Sequence, residues 1–317
     1  MEIKKSPNKV LVTGGAGFIG SHIVDTLLEN EYDVIVVDDL SSGKIENVSK
    51  NADFYFCNIS SYQILKDVFE ETKPDYIIHH AAQSTVVKSF INPALDAQTN
   101  IFGTLNLLEL SKEFKVKKFI YAGSGGTAYG NPSYLPCDEK HPINPISPYG
   151  ISKHTAEHYL EYYYQQYGLD YVSFRYPNIY GEGQDPSTEA GVISIFAKQM
   201  LKNKEVIIFG NGLQSRDFVY VKDIAYANLL ALENNDVPSG IYNLGWGEGT
   251  TVNTIYETLK NIIGYKKNPI NKPERKGEVY RTFLDAEKFR KYTWWKPEVS
   301  LYDGCVKVVN WMKENIK

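Results

Sequence analysis

The sequence predicts an α/β protein that is built on a doubly wound parallel sheet and carries a smaller C-terminal α/β lobe. Two observations predict this fold. Apolar stretches of strand length alternate with amphipathic stretches of helical period through the first half of the 317 residues. This alternation is typical of a parallel sheet with helices on both faces. The first apolar stretch also ends in a cluster of glycines that leads directly into a helical pattern.

Six strands and four helices are predicted in the first half. The strands are expected at residues 9–13, 33–38, 53–57, 75–79, 117–122 and 170–175. The helices are expected at residues 18–30, 61–71, 94–114 and 149–167. Ligand crevices form at the carboxyl ends of parallel strands. We therefore expect the loops after residues 13, 38, 57, 79, 122 and 175 to line the site.

The pattern loosens after Arg175, where a glycine-rich stretch covers Tyr180–Gly191. Helices are then expected near 192–203, 222–234 and 251–263, and strands near 206–208 and 240–244. We therefore predict a dinucleotide-binding domain at residues 1–175 and a substrate-binding lobe at residues 176–317, with segments that interleave.

The glycine cluster predicts a turn that binds a dinucleotide. Its members are Gly14, Gly15, Gly17 and Gly20. Backbone N–H groups in such a turn can approach a pyrophosphate, whose charge the helix dipole favours. A second apolar stretch ends in Asp38 and Asp39, and Asp38 lies 18 residues beyond Gly20, where a carboxylate can bind the adenosine ribose. These features predict a Rossmann domain, and two carboxylates favour NAD because they repel the 2′-phosphate of NADP.

Composition excludes several classes of function. The net charge is −4 without a basic stripe, so nucleic acid is not an expected partner. We find neither an apolar run of membrane-spanning length nor a signal-peptide pattern, so no membrane association is expected. Three widely spaced cysteines fit a reducing, cytoplasmic location. No metal is expected, because the one suggestive histidine pair, His154 and His158, is better interpreted as a helix face.

Tyr149 and Lys153 form the candidate catalytic pair. Their four-residue spacing places both on one face of a helix, and Ser147 with Pro148 predicts the start of that helix. The ammonium group favours phenolate and lowers the tyrosine pKa from about 10. Such a phenol can remove a hydroxyl proton while a hydride leaves the same carbon. Only Tyr149/Lys153 follows soon after the fifth strand, whose end carries Ser124. Three other pairs share the four-residue spacing, namely Tyr62/Lys66, Tyr256/Lys260 and Tyr292/Lys296.

A set of short segments forms a specific pattern through its order and spacing, although each segment is weak alone. The segments are Val12–Gly20, Asp38–Gly43, His79–Gln83, Asn100 with Gly103 and Thr104, Ser124–Gly130, Ser147–Gly150 with Lys153, Arg175–Asn178, Arg216 with Asp217, Tyr220 and Arg275. In this pattern, which runs over nearly the whole chain, the protein resembles the extended short-chain dehydrogenase/reductases, and within them the UDP-glucose 4-epimerases.

The resemblance implies a tightly held NAD. The implied contacts are Gly14, Gly17, Phe18, Ile19 and Gly20 at the pyrophosphate; Asp38, Asp39, Leu40, Ser41, Ser42 and Gly43 at the adenosine ribose; Asn58 and Ile59 at the adenine; His80, Ala81, Ala82, Gln83, Ser84 and Asn100 toward the nicotinamide; and Tyr149, Lys153 and Pro177 at the nicotinamide riboside.

The resemblance also implies a UDP-sugar substrate and its reaction. The implied contacts are Ser124, Gly125, Thr127 and Tyr149 at the sugar; Asn178, Ala190, Gly191 and Val192 at the diphosphate and uridine; Ile207 and Phe209 at the uracil; and Arg216 and Arg275 at the phosphates. In the implied reaction Tyr149 takes the O4 proton while NAD oxidises C4. The 4-keto sugar then turns over, and reduction from the other face inverts C4.

Three departures from the family pattern bear on the site. Asn58 replaces the usual adenine-binding aspartate, and the acid that usually follows the phosphate-binding arginine by three residues is Glu278. The usual catalytic Ser/Thr position is Gly125, so we assign the hydroxyl that binds the sugar O4 to Ser124, with Thr127 as the second choice.

The same loop argues against other reactions of the superfamily. A 4,6-dehydratase needs an acid and a base there, and a UDP-glucuronate decarboxylase tends to keep a glutamate, whereas this loop has Gly125 and Gly126. A catalytically silent NAD-binding regulator is the alternative from another class, and the intact Tyr149/Lys153 pair argues against it. In relatives the residue at Thr282 lies against the sugar's C2 substituent, so its small size implies that N-acetylated sugars are accepted too.

Relatives form homodimers through a four-helix bundle. In this chain the corresponding helices are those predicted at 94–114 and 149–167, the second of which carries the tyrosine run Tyr162–Tyr164. A homodimer of this kind is therefore expected.

Overall fold

The computed structural model describes residues 8–186, 191–274 and 279–315. The strands are β1 Lys9–Thr13, β2 Asp33–Asp38, β3 Asp53–Phe56, β4 Tyr76–His79, β5 Lys118–Ser124, β6 Asp170–Tyr176, β7 Asn178–Tyr180, β8 Ile207–Phe209, β9 Ser215–Arg216, β10 Phe218–Tyr220, β11 Gly240–Asn243, β12 Thr250–Thr251, β13 Ile270–Lys272 and β14 Arg281–Thr282.

The helices alternate with these strands. They are α1 Phe18–Glu29, α2 Tyr62–Thr72, α3 Val86–Ile91, α4 Pro93–Ala97, α5 Gly103–Glu113, α6 Gly125–Ala128, α7 Pro148–Tyr167, α8 Val192–Leu201, α9 Val221–Glu233, α10 Val252–Ile263, α11 Glu287–Thr293 and α12 Leu301–Asn315. A 3₁₀ turn covers Ile45–Asn47, and a π-helical turn covers Gln98–Phe102 between α4 and α5.

The chain forms two compact units, each assembled from three segments. The first comprises Met1–Gly123, Ser147–Phe174 and Ala225–Tyr242. The second comprises Ser124–Ile146, Arg175–Ile224 and Asn243–Lys317.

The first unit contains a seven-stranded sheet. Only the last residues of its strands β5, β6 and β11 are assigned to the second unit. The strand order is β11-β6-β5-β4-β1-β2-β3, and the pairs β1–β2, β1–β4, β2–β3 and β4–β5 are parallel. This confirms the predicted doubly wound sheet. Its order reverses between β1 and β4, which is the point where open α/β sheets bind ligands.

The core of the first unit lies between this sheet and three helices. Apolar side chains of the central strands pack against α2, α5 and α7, and none of them is more than a few per cent exposed: Leu11, Val37, Ile77, Phe119, Tyr121, Leu65, Phe69, Leu107, Leu108 and Leu160. This packing fixes the carboxyl ends of β1 and β4, where predicted NAD-binding segments begin, and the end of β5, which carries Ser124.

Every predicted strand and helix is present with its ends within two residues, except one. The exception is the helix expected at 94–114, where the chain is helical throughout but does not form one uniform α-helix. The structure divides it into α4, the π turn and α5, because five residues follow the wider i→i+5 geometry. The π turn carries Asn100, whose buried amide bonds Gln83, Asp96 and Ser152.

The second unit contains small sheets, which are β10–β7, β12–β9–β14 and β13–β8 among the described residues. Apart from β8, which matches the strand expected near 206–208, these short strands were not predicted from the sequence, and neither were helices α11 and α12. Their two- and three-residue lengths are too short to show a hydrophobic period.

Candidate active site

The turn after β1 has the shape that a pyrophosphate requires. Gly14 has a φ of +72°, and a Cβ on Gly20 would lie only 2.1 Å from the Gly14 carbonyl oxygen, so larger residues do not fit at either position. Helix α1 begins at Phe18 without a side-chain cap and without an acid in its first turn. Its N-terminal N–H groups are therefore suited to an anion.

The loop after β2 is held against this turn. Asp38 is buried and accepts hydrogen bonds from the backbone N–H groups of Ala16 (3.1 Å) and Leu40 (2.8 Å). Burial raises the pKa of its carboxyl, although both hydrogen bonds oppose that shift. Gly43 lies close to both Ala16 and Asp38 Oδ1, and the Ser41 N–H donates to Asp39 Oδ1 at 3.0 Å, so the predicted ribose segment is held by the two carboxylates.

Asn58, the predicted adenine contact, is hydrogen-bonded to Asp39 and Ser60. Its amide donates to Asp39 Oδ2 at 2.7 Å, and its Oδ1 accepts from the Ser60 N–H at 2.8 Å. Both of its polar atoms are therefore engaged within the protein. Asn58 is exposed, while the neighbouring Ile59 is buried.

The segment after β4 lies beside the glycine turn. A Cβ on Gly14 would lie 2.5 Å from the Ala81 nitrogen, which itself donates to the Thr13 hydroxyl at 3.2 Å. Gln83 exchanges hydrogen bonds with the buried Asn100, through its N–H at 2.9 Å and its carbonyl at 3.0 Å. Ala82 and His80 are partly exposed and Ser84 is exposed. The structure thus brings together the predicted NAD residues of the first unit that follow β1, β2 and β4.

Tyr149 and Lys153 lie at the start of α7. The Ser147 hydroxyl caps this helix by accepting from the Gly150 N–H at 3.1 Å, and Pro148 occupies its first turn. The Tyr149 side chain is partly exposed, whereas Lys153 is 5% exposed. The phenol is thus accessible from outside the fold while the ammonium is not.

The Lys153 ammonium is held by the end of β5. Its Nζ donates to the Ala122 carbonyl oxygen at 2.8 Å and lies 4.8 Å from the centroid of the Tyr121 ring. Burial lowers the Lys153 pKa to about 8, and the negative charges of Asp96 and Glu157 oppose that shift. The fold therefore keeps a cation in a fixed place, one helical turn from the phenol.

In the second unit, the two candidate hydroxyl groups are hydrogen-bonded to each other. The Thr127 hydroxyl donates to Ser124 Oγ at 2.9 Å, within the short helix α6 that follows β5. Because Ser124 Oγ accepts from Thr127, its own proton can be donated to a third group. This direction of donation is consistent with the choice of Ser124 over Thr127.

Leu284 explains why the usual Ser/Thr position is a glycine. A Cβ on Gly125 would lie 2.4 Å from Leu284 Cδ1, so a side chain at this position requires the buried Leu284 side chain to move. Gly126 is less restricted, since its Cβ would lie 3.9 Å from the Asn178 amide oxygen. The loop is therefore built around glycine by packing, and its polar groups are on Ser124, Thr127 and Asn178.

The segment that follows β6 is fixed by buried polar contacts. The buried Arg175 donates to the Tyr129 hydroxyl at 3.0 Å, and Tyr129 donates to Asn243 at 2.7 Å. Burial raises the Tyr129 pKa to about 12, so this phenol stays neutral at physiological pH. Pro177 and Asn178 come next and are partly exposed, with the Asn178 N–H bound to the Asp217 carbonyl oxygen.

Arg216 and Thr282 are direct neighbours in the parallel pair β9–β14. The Arg216 guanidinium donates to the backbone oxygens of Ser215 (2.9 Å) and Tyr280 (3.2 Å). Thr282 is 2% exposed, and its hydroxyl has no hydrogen-bond partner in the part of the chain that the structure describes. A buried polar atom without a partner indicates a place where a ligand or water is expected.

The remaining predicted substrate residues are less connected. Gly191 caps α8, Val192 begins it, and this helix has no side-chain cap. On β8 the exposed Ile207 and the partly exposed Phe209 alternate with the buried Ile208. No contact joins β8 to α8 among the described hydrogen bonds. Ala190, Arg275 and Glu278 lie outside the described residues.

The described ranges contain no group of three or more His, Cys, Asp or Glu residues that could hold a metal ion. No helix within the same ranges has the length and hydropathy needed to cross a bilayer.

Lys153 interacts with four buried residues of the first unit that were not predicted from the sequence as part of the site. They are Asp96, Tyr121, Ala122 and Glu157. Asp96 could have been noticed, because it precedes Asn100 by four residues and therefore shares its helix face. Tyr121 and Ala122 gave no signal, since they belong to an ordinary apolar strand pattern.

Comparisons with known proteins agree with this geometry. A model of the NAD dependent epimerase/dehydratase family matches residues 10–245. A putative UDP-glucose 4-epimerase of Methanocaldococcus jannaschii is 48% identical over 307 residues, which cover 96% of this chain and 99% of that protein. A UDP-glucose 4-epimerase from Thermotoga maritima, solved with UDP-glucose, has a TM-score of 0.95 at 48% identity and covers 98% of this chain and 100% of its own.

A third relative is a UDP-N-acetylglucosamine 4-epimerase from Methanobrevibacter ruminantium M1, solved with UDP-N-acetylmuramic acid. Its TM-score is 0.92 at 33% identity, with 98% of this chain and 100% of that chain covered. The matched family and the identity over nearly full length confirm the resemblance, the NAD cofactor and the enzyme class that the sequence predicted. This chain belongs to the NAD dependent epimerase/dehydratase family.

Proposed function

We propose that this protein interconverts UDP-hexoses that differ in configuration at C4. One observation carries the proposal: the buried Lys153 ammonium is fixed on the Ala122 carbonyl oxygen, one helical turn from the partly exposed Tyr149 phenol. A fixed cation stabilises the phenolate that must accept a sugar hydroxyl proton. The names of the relatives support the same reaction.

Each of these residues has a defined task in the proposed reaction. Tyr149 takes the proton from the sugar O4 and later returns it, and Lys153 stabilises the phenolate in between. Ser124 donates a hydrogen bond to the same oxygen. Bound NAD supplies reversible oxidation at C4. The reaction has no net redox change, so the chain needs no site at which a second substrate exchanges electrons.

The residues present fit NAD. The uncapped N-terminus of α1 and the small residues Gly14 and Gly20 suit the pyrophosphate. Asp38 and Asp39 suit a ribose with free hydroxyl groups and disfavour one that carries a phosphate. Lys153 is positioned to reach the nicotinamide riboside in addition to its role at Tyr149.

A direct assay tests the proposal. The purified protein, with NAD added, is incubated with UDP-galactose, and UDP-glucose is measured by chromatography or NMR. We expect conversion to an equilibrium mixture by the wild type. A protein that binds NAD but forms no UDP-glucose would instead support the silent regulator.

The glycine loop disfavours the other reactions of the superfamily. A 4,6-dehydratase needs an acid and a base beside the catalytic hydroxyl, and a decarboxylase tends to keep a glutamate in this loop. Neither Gly125, against which Leu284 packs, nor Gly126 supplies an acid or a base. Epimerisation needs only the phenol and a hydroxyl, and it is therefore the reaction that this loop supports best.

We also propose that N-acetylated UDP-hexoses are substrates. Thr282 is small, and its buried hydroxyl lacks a partner among the described residues. In the family that the chain resembles, the residue at this position faces the C2 substituent of the sugar. A large aromatic side chain there would exclude an acetyl group. The relative from Methanobrevibacter ruminantium, whose name includes UDP-N-acetylglucosamine, supports this extension.

A homodimer and a cytoplasmic location complete the proposal. Large apolar side chains are exposed on the two helical segments that the resemblance assigns to the dimer, namely Leu95, Phe102, Ile151, Tyr159 and Tyr162. A second copy of the chain would cover them. Three buried thiols fit a reducing compartment. Light scattering on the eluted protein tests the dimer, and a monomer would contradict it.

A further inference from the structure

The buried charge of Lys153 needs a counter-charge, and the first unit contains two buried carboxylates that act on it. Both Asp96 and Glu157 raise its pKa against the effect of burial. Asp96 is 1% exposed and Glu157 is 3% exposed. A buried cation is costly unless opposite charges compensate it.

The two carboxylates differ in their own partners. Glu157 accepts from His154 Nδ1 at 2.9 Å and from the Ser173 hydroxyl at 3.3 Å, so its charge is shared with a residue that can become cationic. The donors to Asp96 are the neutral amides of Gln83 (2.8 Å) and Asn100 (3.2 Å), and the described residues add no cation to them. The charge of Asp96 is therefore available to compensate Lys153.

Asp96 is also connected to the backbone of the catalytic pair. The Asn100 amide that bonds Asp96 also donates to the Ser152 hydroxyl at 3.1 Å. Ser152 in turn donates to the Tyr149 carbonyl oxygen at 3.0 Å and immediately precedes Lys153. A continuous hydrogen-bonded path thus links the Asp96 carboxylate to the first turn of α7.

Apart from Tyr149, the phenol that Lys153 serves, the other titratable side chains near Lys153 are neutral. Burial and the Lys153 charge lower the pKa of His79 well below its usual value and that of His80 to about 3, so both rings are neutral. Burial raises the pKa of Tyr121 well above 10, so that phenol is neutral too. Charged residues on the other helices that pack against α7 are at its far end or exposed: Lys88, Glu109, Lys112 and Glu113.

We propose that Asp96 is a positioning residue for the catalytic pair: its carboxylate is the counter-charge that keeps Lys153 cationic, and its path through Asn100 and Ser152 fixes the first turn of α7. Its catalytic consequence rests on the proposed function. Its effect on the charge of Lys153 does not, because that effect can be measured without substrate.

Lysine labelled with ¹³C at Cε reports the charge of Lys153 directly by NMR, and the Lys153→Met variant assigns the signal. We expect a wild-type midpoint near 8. Asp96→Asn, which keeps the shape but removes the charge, should lower this midpoint by about one unit. Asp67→Asn removes an exposed carboxylate from α2 and should leave the midpoint unchanged. A midpoint in folded Asp96→Asn equal to that of the wild type would overturn the proposal.

The same variants are then assayed with UDP-galactose across pH. A less stable Lys153 cation loses its proton at a lower pH. The fall of kcat at alkaline pH should therefore occur at a lower pH in Asp96→Asn, by the same number of units as the Lys153 midpoint, with KM little changed. If Asp96→Asn does not fold, Asp96→Glu retains the charge and should keep the Lys153 midpoint near the wild-type value; a fall of one unit there contradicts the proposal.

Ser152→Ala separates the path from the charge. It should lower kcat while leaving the Lys153 midpoint in place, and an unchanged kcat would refute the path. If no variant or wild type converts UDP-galactose, the proposed function fails, yet the NMR midpoints still decide the role of Asp96.

Discussion

Lys153 donates a hydrogen bond of 2.8 Å to the carbonyl oxygen of Ala122. This contact joins the first turns of α7 to the end of β5. It removes the ammonium from solvent and aims it at the same strand end from which Gly123 and Ser124 continue. The position of the Tyr149 phenol, four residues earlier on the helix, is thereby fixed relative to the sheet.

Removal of the phenol tests this arrangement first. Tyr149→Phe keeps the ring and removes the group that accepts the O4 proton, so kcat for UDP-galactose should fall by roughly 10²–10⁴-fold. The variant should still bind NAD, because the glycine turn and Asp38 are untouched. Activity is measured by NMR of the product, and bound NAD by its absorbance after denaturation. Retention of more than a tenth of the wild-type kcat would exclude Tyr149 as the base.

Gly125 and Leu284 should be coupled in stability. Because the Cβ of a serine at 125 would lie 2.4 Å from Leu284, Gly125→Ser should destabilise the protein by about 1–3 kcal/mol. In a Leu284→Ala background the leucine side chain is absent. Gly125→Ser should therefore lower the free energy of unfolding there by at least about 1 kcal/mol less than in the wild type. Urea unfolding of the four proteins gives both values.

Gly126→Ser is the matched control for this cycle. Its Cβ would lie 3.9 Å from the nearest heavy atom, an ordinary contact, so its cost should be smaller than that of Gly125→Ser. Equal costs at the two positions would show that packing by Leu284 is not the reason for the glycine.

Thr282 should control the C2 substituent. Thr282→Tyr should lower kcat/KM for UDP-N-acetylglucosamine by more than about a hundredfold, or roughly 2.7 kcal/mol, while UDP-glucose loses far less. The control is Thr282→Val, which keeps the volume and removes a buried hydroxyl that lacks a described partner. This control should retain both substrates and be as stable as the wild type or more stable. Poor turnover of the acetylated pair by the wild type itself would reject the assignment.

The buried lysine should also make stability depend on pH. The folded-state pKa of Lys153 is about 8, below the usual 10.5, so burial of the charged form is unfavourable below pH 8. This cost is relieved as pH rises from about 8 to 10.5, where the unfolded chain also loses the proton.

Lys153→Met lacks the titrating group. Its advantage in unfolding free energy over the wild type should therefore be larger at pH 7 than at pH 10.5, by about 3 kcal/mol. Urea titrations at the two pH values measure the difference. An advantage that does not change with pH would mean that the ammonium is not buried in solution.

Much of the first unit could be predicted because each strand and helix there is long enough to show its period. The glycine turn, Asp38 and the Tyr149/Lys153 pair are local patterns, and each lies where its element ends. The π turn was not predictable, because the residues of 94–114 have an ordinary helical pattern and the wider turn depends on contacts of Asn100 with Gln83 and Ser152.

Other features depend on residues that are distant in the chain. Gly125 is a glycine because of Leu284, 159 positions later. The role of Asp96 depends on its proximity to Lys153 in space, and its spacing from Asn100 is the one local signal that it has. The short strands that bring Arg216 beside Thr282 have two residues each, and no period can be read from two residues.

Deuterium at C4 of the sugar gives the most direct test of the central claim. The wild type, with NAD, is incubated with UDP-[4-²H]galactose in ordinary water, and the product is examined by NMR. We expect UDP-glucose that retains deuterium at C4, and Tyr149→Phe should form almost none. Loss of the label to solvent, or product formation that does not depend on Tyr149, would contradict the claim.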